Sequence, residues 1–232
     1  MSKYDGYRRQ VYDCIMRLVE EGYVQGLGGN VSMLVENENV IVVTPSQREY
    51  SAMTVDEICV VDFDLKPVDG SGLKPSVETG MHLSVYRNRR DVGAVVHTHQ
   101  IFASVFSLIN QPIPCLFDEV ASTIGPLVEV VPYGLSGSPQ LAENVTAKLA
   151  GRGNCYLLQN HGALALGADL AKARRNAELL EKCAQIYYYA ISTGREVTLL
   201  PQNMQELMDR IIRGRQDAEI SRKEEAAAKA AV

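Results

Sequence analysis

The stretch VSMLVENENVIVVT, residues 31–44, sets the architecture to expect. Val31 to Val35 and Val40 to Thr44 are two apolar runs rich in β-branched residues, which suit a pleated, half-buried surface. Glu36-Asn37-Glu38-Asn39 between them is polar and of hairpin length. Strands joined by so short a turn run antiparallel, because a parallel pair needs a crossover of a dozen or more residues. Ile58 to Phe63 follows as another strand with only a short helical turn before it, where Thr54 and Glu57 form a capping-box pattern. Farther along, Cys155 to Gln159 and Ala163 to Leu166 bracket a turn at Asn160-His161-Gly162. The expectation is an α/β chain with a mostly antiparallel sheet.

Helices surround these strands. Tyr7, Val11, Cys14, Ile15 and Leu18 recur at helical spacing within Tyr4 to Glu21, and Gly22 closes the segment. Ser76 is placed to cap a helix through Tyr86, and Val92 to Thr98 then reads as a strand. Ile113 to Phe117 and Val128 to Val131 read as short strands, and Ser138 to Ala150 as a helix. Asp169 to Thr193 is the longest periodic segment, ended by Gly194. Residues 1–200 are expected to form one catalytic domain. Residues 201–232 are expected to add a helix after Pro201 and a flexible Lys/Glu/Ala-rich tail from Arg222.

Composition narrows the function. The 232 residues carry 23 basic and 28 acidic side chains, a net charge of -5, which disfavours nucleic acid because phosphate binding needs a basic face. No apolar run approaches the ~18 residues of a membrane span, Ile101 to Ile109 being too short. The charged N-terminus shows no secretory pattern, and five scattered cysteines without a CxxC suggest reduced thiols and a cytoplasmic protein.

Four histidines are available: His82, His97, His99 and His161. His97 and His99 lie two apart at a strand end, so both imidazoles can face one ion. By itself the pair also fits a solvated strand face. His161 sits in a tight turn, where a rigid scaffold presents functional groups. Three neutral imidazoles with an open position make a catalytic rather than a structural zinc site. Glu78 and His82, four apart, share a helix face. A first-turn glutamate also suits the helix dipole, and His82 reads as a core or supporting histidine rather than a ligand. The glycine-rich Gly26-Leu27-Gly28-Gly29-Asn30 turn is neither a Walker A loop nor a Rossmann fingerprint.

Together these motifs resemble the class II aldolase/adducin superfamily over about residues 5 to 195. They are GGNVS at 28–32, TPS at 44–46, KPSVE at 74–78, VVHTH at 95–99 and QNHGALALG at 159–167. The resemblance implies a single three-layer domain with a central, mostly antiparallel sheet flanked by helices. It implies a homotetramer with active sites at subunit interfaces. It implies Zn2+, or another divalent transition metal, held by His97, His99 and His161, with Glu78 as general base and potential fourth ligand. Gly29, Asn30, Ser46 and Ser76 fall on phosphate-binding positions, and Gln47 and Arg48 adjoin them. Asp118 or Glu119 is the candidate for a second proton transfer. The expected reaction is reversible aldol cleavage of a small ketose or ketose 1-phosphate.

The chain departs from the family pattern at Leu27, Gln47 and Val77, each of which removes a phosphate donor or crowds the backbone. Two lost hydrogen bonds to a charged group weaken phosphate binding about a hundredfold. Arg48 can compensate or hold a carboxylate. Two alternatives therefore stand beside the aldolase: a metal-dependent decarboxylase of a 3-oxo or aromatic acid, and a non-catalytic adducin-like scaffold.

Overall fold

A computed structural model of the chain describes residues 2–70, 72–114 and 116–230. In chain order the elements are α1 (Asp5–Glu20), β1 (Asn30–Leu34), β2 (Val40–Val43), β3 (Cys59–Asp62), β4 (Pro67–Asp69), α2 (Thr79–Asn88), β5 (Ala94–Thr98) and α3 (Ile101–Leu108). They continue as β6 (Ile113–Pro114), α4 (Asp118–Ile124), β7 (Leu127–Val131), α5 (Pro139–Leu149), β8 (Cys155–Leu158), β9 (Gly162–Gly167), α6 (Leu170–Ser192) and α7 (Gln202–Ala230). Nine strands form one sheet in the order β4-β3-β2-β1-β5-β9-β8-β7-β6. All neighbours pair antiparallel except β7 and β8, the pair that α5 connects as a crossover.

The predicted hairpin forms with Ser32 opposite Val43 and Leu34 opposite Ile41. Asn37 takes a left-handed conformation in its turn (φ 59°), which asparagine tolerates better than most residues. Alternation along the strands feeds two cores. Val31, Val42, Val60, Val96 and Ala165 face α1, α3, α4 and α6. Ile41, Val43, Val61, Val95 and Leu164 face α2 and α5. The result is the expected three layers. No helix among the described residues is long and apolar enough to cross a membrane.

Several elements differ from expectation. α3 was not foreseen: its sequence is apolar on every side, so it shows no period, and Ile101 and Leu108 remain exposed. α4 is too short for its period to register, and β4 has three residues including a proline. The strand expected over Ile113 to Phe117 is reduced to Ile113–Pro114, and Cys115 lies outside the described residues. The helix expected to start at Ser76 starts at Thr79 instead, since residues 76–78 form a turn in which Thr79 N donates to Ser76 O.

The stretch from Arg222, expected to fray, is instead helical through Ala230. Alanine, lysine and glutamate are strong helix formers. The helix is also tied down: Met208 and Ile212 are buried, and Lys223 Nζ donates to the carbonyls of Arg90 and Asp91.

Candidate metal centre

The site lies at the middle of the sheet, where β5 ends and β1 and β9 begin. Asn30 on β1 pairs with His97 on β5, and Thr98 pairs with Ala163 on β9. His97 is the penultimate residue of β5, His99 follows the strand, and His161 occupies the β8–β9 turn. Asn160 adopts φ 55° there, and His161 N donates to Leu158 O, which tightens the turn. The expected motifs are brought together by backbone hydrogen bonds. Ser46 N donates to Lys74 O, Ser76 N donates to Thr44 O, and Val31 N donates to Thr44 Oγ1. Two turns that are remote in sequence thus meet beside β1.

Glycines admit the rings. A Cβ on Gly28 would lie 2.7 Å from His99 Nδ1, and one on Gly29 would lie 2.8 Å from His97 O. A Cβ on Gly162 would meet Thr98 O at 2.4 Å. Gly29 also has φ 76°, a conformation open to glycine at little cost.

The ligand atoms of His97, His99 and His161 all lie within 4.8 Å of one another. His97 Nε2 is 3.0 Å from His99 Nε2. Glu78 reaches both sides of the group: Oε2 is 3.2 Å from His97 Nε2, and Oε1 is 3.2 Å from His161 Nε2. Asn30 Nδ2 donates to Glu78 Oε2 at 2.8 Å, and Ser136 Oγ donates to Oε1 at 2.9 Å.

The protonation pattern shows what this arrangement can hold. His97 Nδ1 lies 2.9 Å from the Ala163 carbonyl oxygen, which only accepts, so Nδ1 carries the hydrogen. In a neutral imidazole Nε2 is then a bare lone pair. Burial keeps His97 neutral by lowering its pKa to about 3, against the opposing pull of Glu78. Burial likewise lowers His99. Burial raises Glu78, but His97, His161 and the hydrogen bonds from Asn30 and Ser136 outweigh it and hold the carboxyl below its usual range. The lone pair of His97 Nε2 and the Glu78 carboxylate therefore face one another at 3.2 Å without a proton to share. Such a set repels itself unless a cation sits among it. Nitrogen donors with a carboxylate suit a divalent transition metal, and the Nδ1 bond to Ala163 O is the support such a ligand needs.

Other predicted residues sit farther from this chemistry or are otherwise engaged. Ser76 Oγ accepts from Glu78 N, so it braces the glutamate's backbone. Arg48 donates to Ala52 O and pairs with Glu57 at 2.9 Å. Gln47 is exposed at φ 54°. Asp118 and Glu119 open α4 on the surface, and Glu119 lies 3.5 Å from Arg175 and 3.9 Å from Lys182 on α6. Ser136 was missed. A serine in a Gly134–Gly137 turn carries no periodic signal, and only the fold puts it on Glu78.

This geometry accords with comparison to known proteins. Residues 9–188 match the class II aldolase and adducin N-terminal domain model. The chain belongs to that family. It is 34% identical over 190 residues to a 5-deoxy-D-ribulose 1-phosphate aldolase of Bacillus thuringiensis serovar kurstaki, covering 82% of this chain and 87% of that one. It is 35% identical over 177 residues to an L-fuculose phosphate aldolase of Methanococcus maripaludis, covering 76% and 93%. A solved L-fuculose 1-phosphate aldolase superposes with a TM-score of 0.83 at 31% identity, covering 90% of this chain and 96% of that one. With aldolase relatives and the histidine triad intact, the chain is an enzyme of the class II aldolase type, and the scaffold alternative is set aside.

Proposed function

We propose that the chain is a zinc-dependent aldolase that reversibly cleaves a small ketose 1-phosphate, with His97, His99 and His161 as ligands and Glu78 as general base and potential fourth ligand. The observation that carries this reading is the convergence of three imidazoles, two of them 3.2 Å from a Glu78 oxygen. When bound, the metal supplies Lewis-acid stabilisation of negative charge on the substrate's carbonyl oxygen. Glu78 removes the proton α to that carbonyl in synthesis and returns it to carbon in cleavage. Asn30 and Ser136 hold its two oxygens, so the carboxylate is oriented before substrate arrives. Gly29, Ser46 and Ser76 line the neighbouring turns as the phosphate subsite. The relatives' phosphorylated substrates support that assignment.

The working form is proposed to be a cytoplasmic homotetramer with interfacial sites, in which Asp118 or Glu119 of a neighbouring copy supplies the second proton transfer. Decarboxylation of a 3-oxo or aromatic acid is the second reading. It is favoured by exposed Leu27 (58%) and Val77 (61%) on the turns expected to hold phosphate. The pairing of Arg48 with Glu57 counts against it, because that guanidinium is already neutralised.

A panel of ketoses with and without a terminal phosphate, assayed for both aldehyde and CO2, tests the choice. Aldehyde release from the phosphorylated member is expected. CO2 from an unphosphorylated acid would establish the second reading. In the same preparation about one zinc per chain is expected, and His99→Ala should lose both metal and turnover.

A further inference from the structure

Beneath the metal centre, β1 and α2 are joined by two polar rungs. The upper rung is Asn30 with Glu78. The lower is Ser32, whose Oγ lies 2.7 Å from His82 Nδ1 and 2.7 Å from the Tyr86 hydroxyl. Asn30 and Ser32 are two apart on one face of the strand, ~6.6 Å along it. Glu78 and His82 are four apart across the start of the helix, ~6 Å along its axis. The rungs are therefore stacked and separated by about the width of one small molecule. His82 is fully buried and Asn30 nearly so. Among the described residues, one polar atom on each has no hydrogen-bond partner: His82 Nε2 and Asn30 Oδ1. A buried polar atom left without a partner is costly, so one on each of two facing elements calls for a shared occupant.

The donor and acceptor roles agree along the whole line. Burial keeps His82 neutral, lowering its pKa to about 4. A neutral imidazole has one donor and one acceptor. If Nδ1 accepts from Ser32, Nε2 carries the hydrogen, and the orphan it needs to satisfy is an acceptor, which Asn30 Oδ1 is. Tyr86 can then donate to Ser32, Ser32 to His82, and Asn30 Nδ2 to Glu78 without a conflict anywhere.

We propose that His82 is a positioning residue for Glu78: its Nε2–H reaches Asn30 Oδ1 through one buried water and fixes the carboxamide that holds the Glu78 carboxylate. The carboxamide can flip by exchanging its oxygen and nitrogen, and in the flipped form its oxygen would face the carboxylate and repel it. A donor anchored from below selects the productive orientation. This rests on Glu78 acting as the base, and the test separates the two ideas.

The first measurement is nitrogen-detected NMR of the four histidines in the metal-loaded protein, with the His82 signals assigned from His82→Gln. An Nε2–H tautomer is expected for His82, with a slowly exchanging proton that moves upfield and exchanges faster in Asn30→Ser. An Nδ1–H tautomer, or an Nε2–H signal indifferent to Asn30→Ser, overturns the line of hydrogen bonds whether or not Glu78 is the base. The second is kinetic. Glutamine places its amide nitrogen near the position of Nε2, whereas asparagine places it near Nδ1. His82→Gln is expected to keep kcat within about threefold. His82→Asn is expected to lose roughly tenfold or more in kcat, with KM and bound metal unchanged. Equal kcat in the two variants, or loss of metal alongside activity, overturns the positioning role. If Glu78→Gln were fully active while the NMR result held, the base assignment would fall and the hydrogen-bonded line would stand.

Discussion

Gly28 and Gly162 show at the residue scale how tightly the imidazoles are housed. A methyl group on Gly28 would press on His99 Nδ1, at the far end of a ring that can tilt, whereas one on Gly162 would press on the Thr98 carbonyl, which cannot. Gly28→Ala is therefore expected to fold with little loss of stability but to bind metal at least tenfold more weakly, measured by chelator competition. Gly162→Ala should lower the unfolding free energy by several kcal/mol, since the strand pairing itself must shift, and urea denaturation would register it. A Cβ on Gly162 also lies 2.8 Å from His99 Cδ2, so Gly162→Ala should add weaker metal binding to its loss of stability, whereas Gly28→Ala should show the first effect alone. That His97, His99 and His161 gather beside Glu78 is readable in the sequence, because strand spacing puts alternate residues on one face and the Asn-His-Gly turn delivers the third ring. Ser136 and the Ser32–His82–Tyr86 line are not, because a serine's role depends on which remote side chain the fold brings to it.

Helix α7 poses the question of what the C-terminal element is for. It packs on Ala121 of α4 through Met208, with Met204 and Ile211 beside it, and Gln216 Nε2 donates to Arg152 O and Asn154 Oδ1. None of these contacts involves the metal-centre side chains. A chain ending at Leu200 is expected to bind the same amount of metal per chain while melting several degrees lower, read by metal analysis and calorimetry on one sample. Loss of metal with the helix would show that α7 supports the centre as well as the fold. Elements with a strong period, such as α1, α6 and the first hairpin, were legible in advance. α3 and α4 were not, the first because it is apolar all round and the second because seven residues are too few to show a stripe.

Acid response is a property of the whole molecule. Burial lowers His82 from about 6.5 in an unfolded chain to about 4 in the fold. The unfolded form then binds the extra proton between those values, so stability is full above pH 6.5 and falls as pH drops towards 4. At about 1.4 kcal/mol per pH unit, this one residue accounts for about 3 kcal/mol. His97, also lowered by burial, adds to the loss. Metal-free protein titrated with urea at successive pH values should show this slope, and His82→Gln should flatten it. Association is also decided at this scale. Ile101, Leu108, Ile109, Tyr188 and Tyr189 leave an apolar surface on α3 and α6, with Phe102 against both tyrosines. If the proposed homotetramer closes over this surface, Ile101→Glu should give smaller species in sedimentation velocity, and an unchanged sedimentation coefficient would place the contact elsewhere.

The ligands come from β5 and from the β8–β9 turn, with α3, α4 and α5 threaded between them. During synthesis the ribosome must therefore release two thirds of the polypeptide before a third imidazole exists to join the first two. An ion captured earlier would meet at most His97, His99 and Glu78, without the imidazole that closes the set. The full three-imidazole set is therefore available to a metal only after His161 has joined the strands that carry its partners.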